Sequence, residues 1–345
     1  MNAIDLCELS LLPDWLTRAG MRRLMARRLR SESNKDLPSR QSFSDALHTG
    51  PIAVHTDLAN DQHYEVPERF FQTVLGSHLK YSCGYWDEDT HTLDQAEAAM
   101  LALTCERAEL QDGMRILELG CGWGAVTLWM AEHYPASQIV AVSNSLSQKR
   151  FIEEKAASRQ LNNVHVVTAD INDFSPTGTF DRIVSVEMFE HVRNYNELMQ
   201  RIASWLTPKG KLFVHIFCHR EFAYPFEEDG QYDWMSRNFF SGGTMPSETT
   251  LLDFQTALTL DQQWRVSGKH YEQTANAWLQ KTDQHYAAVR SIFNEVYGQA
   301  DAARWVQRWR MFFMACAELF GYDNGEQWLV GHYRFSRADH AVQEK

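Results

Sequence analysis

Five consecutive positions, Glu187-Met188-Phe189-Glu190-His191, carry a dense set of proton-handling groups. If the segment opens a helical turn, positions 187, 190 and 191 share one face. Two carboxylates and an imidazole converging in that way suit a cationic nitrogen. A carboxylate can hold an ammonium, and His or Glu can take its proton. An aliphatic ammonium has a pKa of about 10, so supplying the neutral amine at pH 7 costs about 4 kcal/mol. Most of the remaining catalysis would be alignment of the reacting atoms. Glutamates near a helix start also serve the helix dipole. That account fits any one of these carboxylates better than all three groups together. The H-E-x-x-H spacing of a zinc site is absent, so no metal is expected.

A second chemical motif is the run Ile116-Leu117-Glu118-Leu119-Gly120-Cys121-Gly122-Trp123-Gly124. Its glycines let the backbone approach a ligand closely, at the crevice where doubly wound sheets bind nucleotides. A dinucleotide site would show G-x-G-x-x-G and often an acid about 20 residues on. Here the third glycine comes one residue early, and Ser143-Asn144 stands where that acid would be. E-x-G-x-G-x-G is instead the spacing of the S-adenosylmethionine turn, with Glu118 organising the loop near the methionyl ammonium. Asp170 ends a later strand, where an acid can accept from an adenine amino group.

These residues need a frame. Arg115–Leu119, Gln138–Ser143, Val164–Ala169, Phe180–Val186 and Lys211–His215 read as short apolar strands. The helical patterns between them run to Ala131, over Ser147–Ser158 and over Asn196–Leu206. Alternation of this kind implies βαβ units and a parallel sheet with helices on both faces. Two long helices are expected over Thr274–Tyr297 and Asp301–Phe320, and a last strand over Trp328–Phe335. The expected fold is α/β: a Rossmann-like class I methyltransferase, mostly parallel and doubly wound, with N-terminal helices and a helical cap insertion. The expected divisions are an N-terminal helical region (1–90) that contributes to the site and a donor-binding core (91–219). A cap or substrate insertion (220–325) and a final core strand with a tail (326–345) follow.

Formal charge is −12, from 33 Lys and Arg against 45 Asp and Glu, which argues against nucleic acid as a partner. The six cysteines are scattered with no C-x-x-C pair, so neither a zinc site nor a disulfide framework is indicated, and a reducing cytoplasm fits. No apolar run approaches the length of a membrane span. Pro13 to Arg30 reads as a basic amphipathic helix. Such a helix can dock on a membrane, although packing on its own protein is the plainer account. Aromatic residues make up 12% of the chain, enough to fill a core and also to line a pocket. Phe222, Tyr224, Phe239 and Phe240 are candidates for an acceptor pocket, and Tyr85 or Trp86 for a face against a sulfonium.

Taken together, His63-Tyr64-Glu65-Val66-Pro67, Tyr81-Ser82-Cys83, the glycine turn, Ser143-Asn144-Ser145 with Gln148, and Phe189-Glu190-His191 resemble the cyclopropane fatty acid synthase-like methyltransferases. The coclaurine N-methyltransferase branch is the most similar. It also resembles this chain in Gly242 to Ser247 and in Ala317 to Tyr322. The resemblance implies that Tyr64, Tyr81 and Ser82 touch the methionyl part of S-adenosylmethionine, that Gly120 and Gly122 border it, that Asn144 and Gln148 hold the ribose, and that Asp170 and Ile171 border the adenine. It implies that Glu187, Glu190 and His191 orient the substrate and take its proton. In the lipid synthases the counterparts of Cys83, Glu190, His215 and Tyr271 hold a bicarbonate ion used as base. Those synthases have a small residue where Glu187 stands. A carboxylate there suits an ammonium and is awkward beside an acyl chain, because an unpaired buried charge is costly. The expected function is N-methylation of a small, aromatic or alkaloid-like amine, with cyclopropane-fatty-acyl-phospholipid synthesis as the alternative. Membrane contact is expected only under that alternative. The expected partners are the amine and at most a second copy of the chain.

Overall fold

The computed structural model describes residues 2–53, 66–226, 234–240 and 242–338. Tyr64, expected at the donor, lies outside the described residues.

Among the described residues four helices come first: α1 (Ala3–Glu8), α2 (Asp14–Ser33), α3 (Leu37–Ala46) and α4 (Glu68–Val74). Next, α5 (Leu93–Arg107) starts at a capping box. Gln95 N–H donates to Thr92 Oγ1 (3.2 Å), and Thr92 N–H donates back to Gln95 Oε1 (3.0 Å). The alternation then runs β1 (Arg115–Leu119), α6 (Ala125–His133), β2 (Gln138–Ser143), α7 (Leu146–Ser158), β3 (Val164–Thr168), β4 (Phe180–Val186), α8 (Tyr195–Trp205) and β5 (Leu206–His219). Ser145 and Asn194 cap α7 and α8 with their side chains. The rest comprises β6 (Tyr224–Pro225), α9 (Trp234–Phe239), β7 (Thr244–Met245), β8 (Leu258–Val266), α10 (Gly268–Gln284), α11 (Tyr286–Tyr297), α12 (Ala302–Gly321) and β9 (Trp328–Arg337).

The main sheet has the order β3-β2-β1-β4-β5-β9-β8. Its first five strands are parallel, and β9 runs antiparallel between β5 and β8. Strand residues alternate between two apolar clusters, as their period of two requires. Ile116 and Val184 pack with Leu101, Val126 and Met130 on one face. Leu117 and Ile183 pack with Leu198, Ile202 and Trp205 on the other. Both faces are therefore covered, and the strands read as apolar runs.

Three expectations need correction. β8 was not foreseen. It is an edge strand, and of its ends Leu258 and Val266 are buried while most residues between them are partly or fully exposed. Its apolar signal is accordingly weak. The 220–325 stretch therefore supplies one strand of the main sheet. The single helix expected over 274–297 begins earlier, at Gly268, and breaks at His285, so that α11 turns back onto α12. Strand β5 begins at Leu206, where it pairs with Phe180, ahead of Lys211.

The basic helix α2 lies on its own protein. Arg18 and Arg22 pair with Glu318 of α12 (2.9 and 2.6 Å), and Asp14 pairs with Arg310 (2.7 Å). Buried Glu8 accepts from Trp234 Nε1 (2.7 Å) and Arg308 Nε (3.0 Å), tying α1 to α9 and α12. Among the described residues no helix is long and apolar enough to cross a membrane.

Candidate active site

A cavity of about 260 Å³ opens at the carboxyl ends of β1, β2 and β4. Its floor is the glycine turn. Gly120 and Cys121 both donate N–H to Val142 O (3.0 Å each), which folds the turn over β2. Gly120 has φ +80°, and a Cβ there would stand 2.7 Å from Met188 Cβ. Thr127 Oγ1 donates to Glu118 Oε2 (2.5 Å), and burial pushes the Glu118 carboxyl up to about 8. Ser143 Oγ donates to Gln148 Oε1 (2.6 Å). The same side chain's Nε2 is buried with no hydrogen-bond partner among the described residues. Asp170 Oδ1 accepts from Asn172 N–H (2.7 Å) and Nδ2 (2.8 Å), which fixes its orientation. Glu118, Gly120, Gly122, Asn144, Gln148, Asp170 and Ile171 all line this cavity, as do Tyr81 and Ser82.

A second wall is the irregular segment before α5. Buried Glu97 accepts N–H from Gly76 (2.8 Å) and His78 (2.9 Å). Thr274 and His270 of α10 take the N–H groups of Gly84 (3.0 Å) and Trp86 (2.9 Å). Between these anchors Lys80, 1% exposed, reaches Ser82 Oγ (2.5 Å) and Cys83 O (2.7 Å). Burial lowers its pKa, and Glu187 opposes that shift. Tyr85 stacks on His270 (4.5 Å) and Trp86 Nε1 donates to Thr274 (2.9 Å). Neither lines the cavity, so the sulfonium faces expected there are taken up by packing.

The reacting end is built around Glu187. Its backbone is left-handed (φ +49°), with N–H donating to His215 O (2.9 Å). A non-glycine residue in that region costs about 1–3 kcal/mol and persists only where the surroundings fix it. Cys83 N–H donates to Glu187 Oε1 (3.0 Å), His215 Nε2 lies 3.2 Å from the same oxygen, and Tyr271 O–H donates to Oε2 (2.6 Å). Burial raises the Glu187 pKa, against Lys80 and these donors.

The three expected catalytic groups do not share a face. A single 3-10 turn (Phe189–His191) follows β4, in place of the regular helical turn assumed from spacing. Glu187 and His191 line the cavity, while Glu190 is 0% exposed and does not. Phe217 N–H donates to Glu190 Oε1 (2.9 Å), and Oε2 has no hydrogen-bond partner among the described residues. Burial, then the neighbouring Glu187, push the Glu190 carboxyl well up. His191 stacks on Phe240 (4.8 Å), and burial lowers it to about 4.

Cys83, His215 and Tyr271 do converge, but on the Glu187 side chain. Phe222 and Tyr224 do not line the cavity. Phe222 stacks on His219 (4.9 Å) and borders a separate cleft with Glu32 and Phe43. The Tyr224 hydroxyl accepts from Trp328 Nε1 (3.0 Å). Phe239 is buried against Phe312 (4.5 Å). The segment turns at β6, which sends Phe226 into the cavity instead, opposite Phe240, Phe312, Cys316 and Phe320. Lys80, Met188, Phe226 and Cys316 were not foreseen. Lys80 adjoins the Tyr81-Ser82-Cys83 motif, and a lone lysine among apolar neighbours was the available signal.

Residues 55–328 match the family described as Mycolic acid cyclopropane synthetase. The (S)-coclaurine N-methyltransferase of Thalictrum flavum subsp. glaucum is 40% identical over 338 residues, 96% of this chain and 94% of that one. The cyclopropane-fatty-acyl-phospholipid synthase of Escherichia coli is 28% identical over 276 residues, 79% of this chain and 67% of that one. Among solved structures, a coclaurine N-methyltransferase bound to N-methylheliamine and SAH has a TM-score of 0.92 and 38% identity, covering 96% of this chain and 98% of that one.

Proposed function

The chain belongs to the mycolic acid cyclopropane synthetase family, and from that premise we propose that it methylates the nitrogen of a small, aromatic or alkaloid-like amine. It is an S-adenosylmethionine-dependent methyltransferase. The observation that carries the choice of acceptor is the Glu187 carboxylate, set in a cavity whose lining also includes Phe226, Phe240, Phe312 and Phe320. An ammonium would add a countercharge to the three hydrogen bonds this carboxylate already receives, whereas an acyl chain would offer it nothing. The aromatic faces add cation–π attraction for the same ligand. The activities of the similar N-methyltransferase and the amine in the similar solved structure support this reading.

The crevice fits the methyl donor on its own features. Gln148 Nε2 is a buried donor with no partner among the described residues, which suits a ribose hydroxyl, and Asn144 also lines the cavity. Asp170 and Ile171 would border the adenine, and Tyr81, Ser82, Gly120 and Gly122, which line the same cavity, would border the methionyl part. Bound there, S-adenosylmethionine supplies a methyl group activated by its sulfonium.

The acceptor side then handles one proton. Burial inverts the usual order of basicity, raising both carboxyls and lowering His191 to about 4. The carboxylates therefore outrank the imidazole as proton acceptors. Burial and the neighbouring Glu187 push the Glu190 carboxyl well up, which favours its protonated form beside a charged Glu187. Glu187, held by its donors, attracts the ammonium and takes its proton. His191, neutral and stacked on Phe240, keeps the nitrogen facing the donor. Six free cysteines support a reducing, cytoplasmic setting for this chemistry.

The test offers labelled donor to a panel of aromatic and aliphatic amines and, separately, to vesicles of unsaturated phospholipid, with products read by mass. N-methylated aromatic amines and unchanged lipid are expected. Cyclopropane-containing lipid with every amine untouched would replace the reading with the lipid alternative.

A further inference from the structure

Glu187 is connected to residues far from the cavity. His215 Nδ1 lies 2.9 Å from His332 Nε2, and His332 Nδ1 lies 2.7 Å from Arg107 Nη1. His215 and His332 stand opposite each other on β5 and β9, and both are 0% exposed. Arg107 ends α5, its guanidinium 5.0 Å from the Trp264 ring of β8. The chain of contacts thus crosses from a half-buried arginine to the reacting carboxylate.

Its direction follows from one fact. A guanidinium only donates, so His332 Nδ1 must accept. The proton of neutral His332 then sits on Nε2 and is donated to His215 Nδ1. The proton of neutral His215 in turn sits on Nε2 and points at Glu187 Oε1. Burial lowers both imidazoles well below the ordinary histidine range, in keeping with neutral rings.

We propose that Arg107 and His332 are positioning residues for the methyl transfer: through this one-way chain they fix His215 in the Nε2–H tautomer, which holds the Glu187 carboxylate charged for the incoming ammonium. The role of Glu187 rests on the function proposed above; the tautomers do not. Without the chain, His215 is free to turn a lone pair toward Glu187, which favours the protonated acid. Loss of a donor to a carboxylate raises its pKa. The other titratable groups facing Glu187 or the histidine pair are Lys80, Cys83, Glu190, His191, Tyr271 and Cys316.

Two measurements on the full chain test this. Nitrogen-15 NMR of the histidine rings reads the tautomers without any substrate. Both His215 and His332 are expected as Nε2–H between about pH 5.5 and about 8.5, from about one unit below to about two units above the free imidazole value. Either ring in the Nδ1–H form, or doubly protonated at pH 7, overturns the proposal whatever the substrate proves to be. The second is the pH profile of kcat/KM. His332→Phe fills the space but cannot relay. Its acid limb is expected to move up by about one unit or more, with donor affinity unchanged. His332→Gln can accept from Arg107 and donate to His215, and it is expected to restore the limb. Arg107→Met, at the outer end, is expected to shift the limb in the same direction by less, and it serves if His332→Phe fails to fold. A folded His332→Phe with the wild-type limb, or a His332→Gln no better than His332→Phe, overturns the proposal.

Discussion

The donor half and the acceptor half of the cavity are built on opposite plans. The donor half is set mainly by backbone: a nine-residue run, 116–124, and three strand ends give it its shape, and most of its polar groups stand at or just after those strand ends. The acceptor half is side chains: Phe217 of β5, Phe226 after β6, Phe240 after α9, Met245 of β7 and Phe312 of α12 meet there from separate elements. Glu187 stands at the seam, with a backbone fixed by β5 and a side chain held from three directions. A backbone site changes little between related chains, since few residue types fit its dihedrals. A side-chain site can be re-cut one residue at a time. This chain can therefore share a donor with lipid synthases and still take a different acceptor.

The sharpest break of the comparison is at the seam. Glu187→Gly keeps the left-handed backbone and deletes the charge. It is expected to lower kcat/KM for the amine about 10²- to 10³-fold, as loss of a buried charge partner does. Donor affinity by calorimetry should stay within about threefold. The three donors left behind form a carboxylate-shaped nest, so added formate should recover part of the rate; no recovery would mean that the nest collapses. On the donor side, Gly120→Ala should weaken donor binding about 10- to 100-fold, because the new Cβ meets Met188 in a backbone region that alanine resists. A rise confined to the amine KM would contradict the division drawn here. On the acceptor side, Phe240→Ala should raise the amine KM about tenfold while the donor affinity holds.

The smallest effect is on stability. His191 has a folded pKa of about 4, below its unfolded value, so the unfolded chain binds the extra proton first. Its contribution is complete above about pH 6.5 and is lost as pH falls toward 4. His191→Asn should therefore flatten the fall in thermal midpoint over that window relative to the parent, in scans taken at half-unit steps.

The two plans also decide what could be read from the sequence. The glycine turn was legible because its spacing along the chain already is its geometry, and Asp170 because it follows a strand; Asn144 and Gln148 came from the family resemblance, and all of them line the cavity. The Glu187-to-His191 group was legible as chemistry but not as shape. A regular turn would align all three, whereas the left-handed Glu187 and one 3-10 turn put Glu190 behind the wall. The acceptor wall was mostly closed to sequence reasoning. Phe222 and Phe226 are equally aromatic, and only the turn at β6 decides which one enters. Strand β8 escaped because an edge strand needs no apolar run. His332, a lone histidine in a core strand, has no local signal tying it to His215, 117 residues away.

The order of the sheet has a consequence for biosynthesis. β9 comes after both β5 and β8 in the chain and inserts between them, and among the described residues β8 has no other neighbour in the main sheet. Until those ten residues emerge, the nascent polypeptide carries two unsatisfied strand edges and lacks His332. Catalytic competence is thus withheld until β9 has been made and paired, and the nascent chain is aggregation-prone just before that strand slots home.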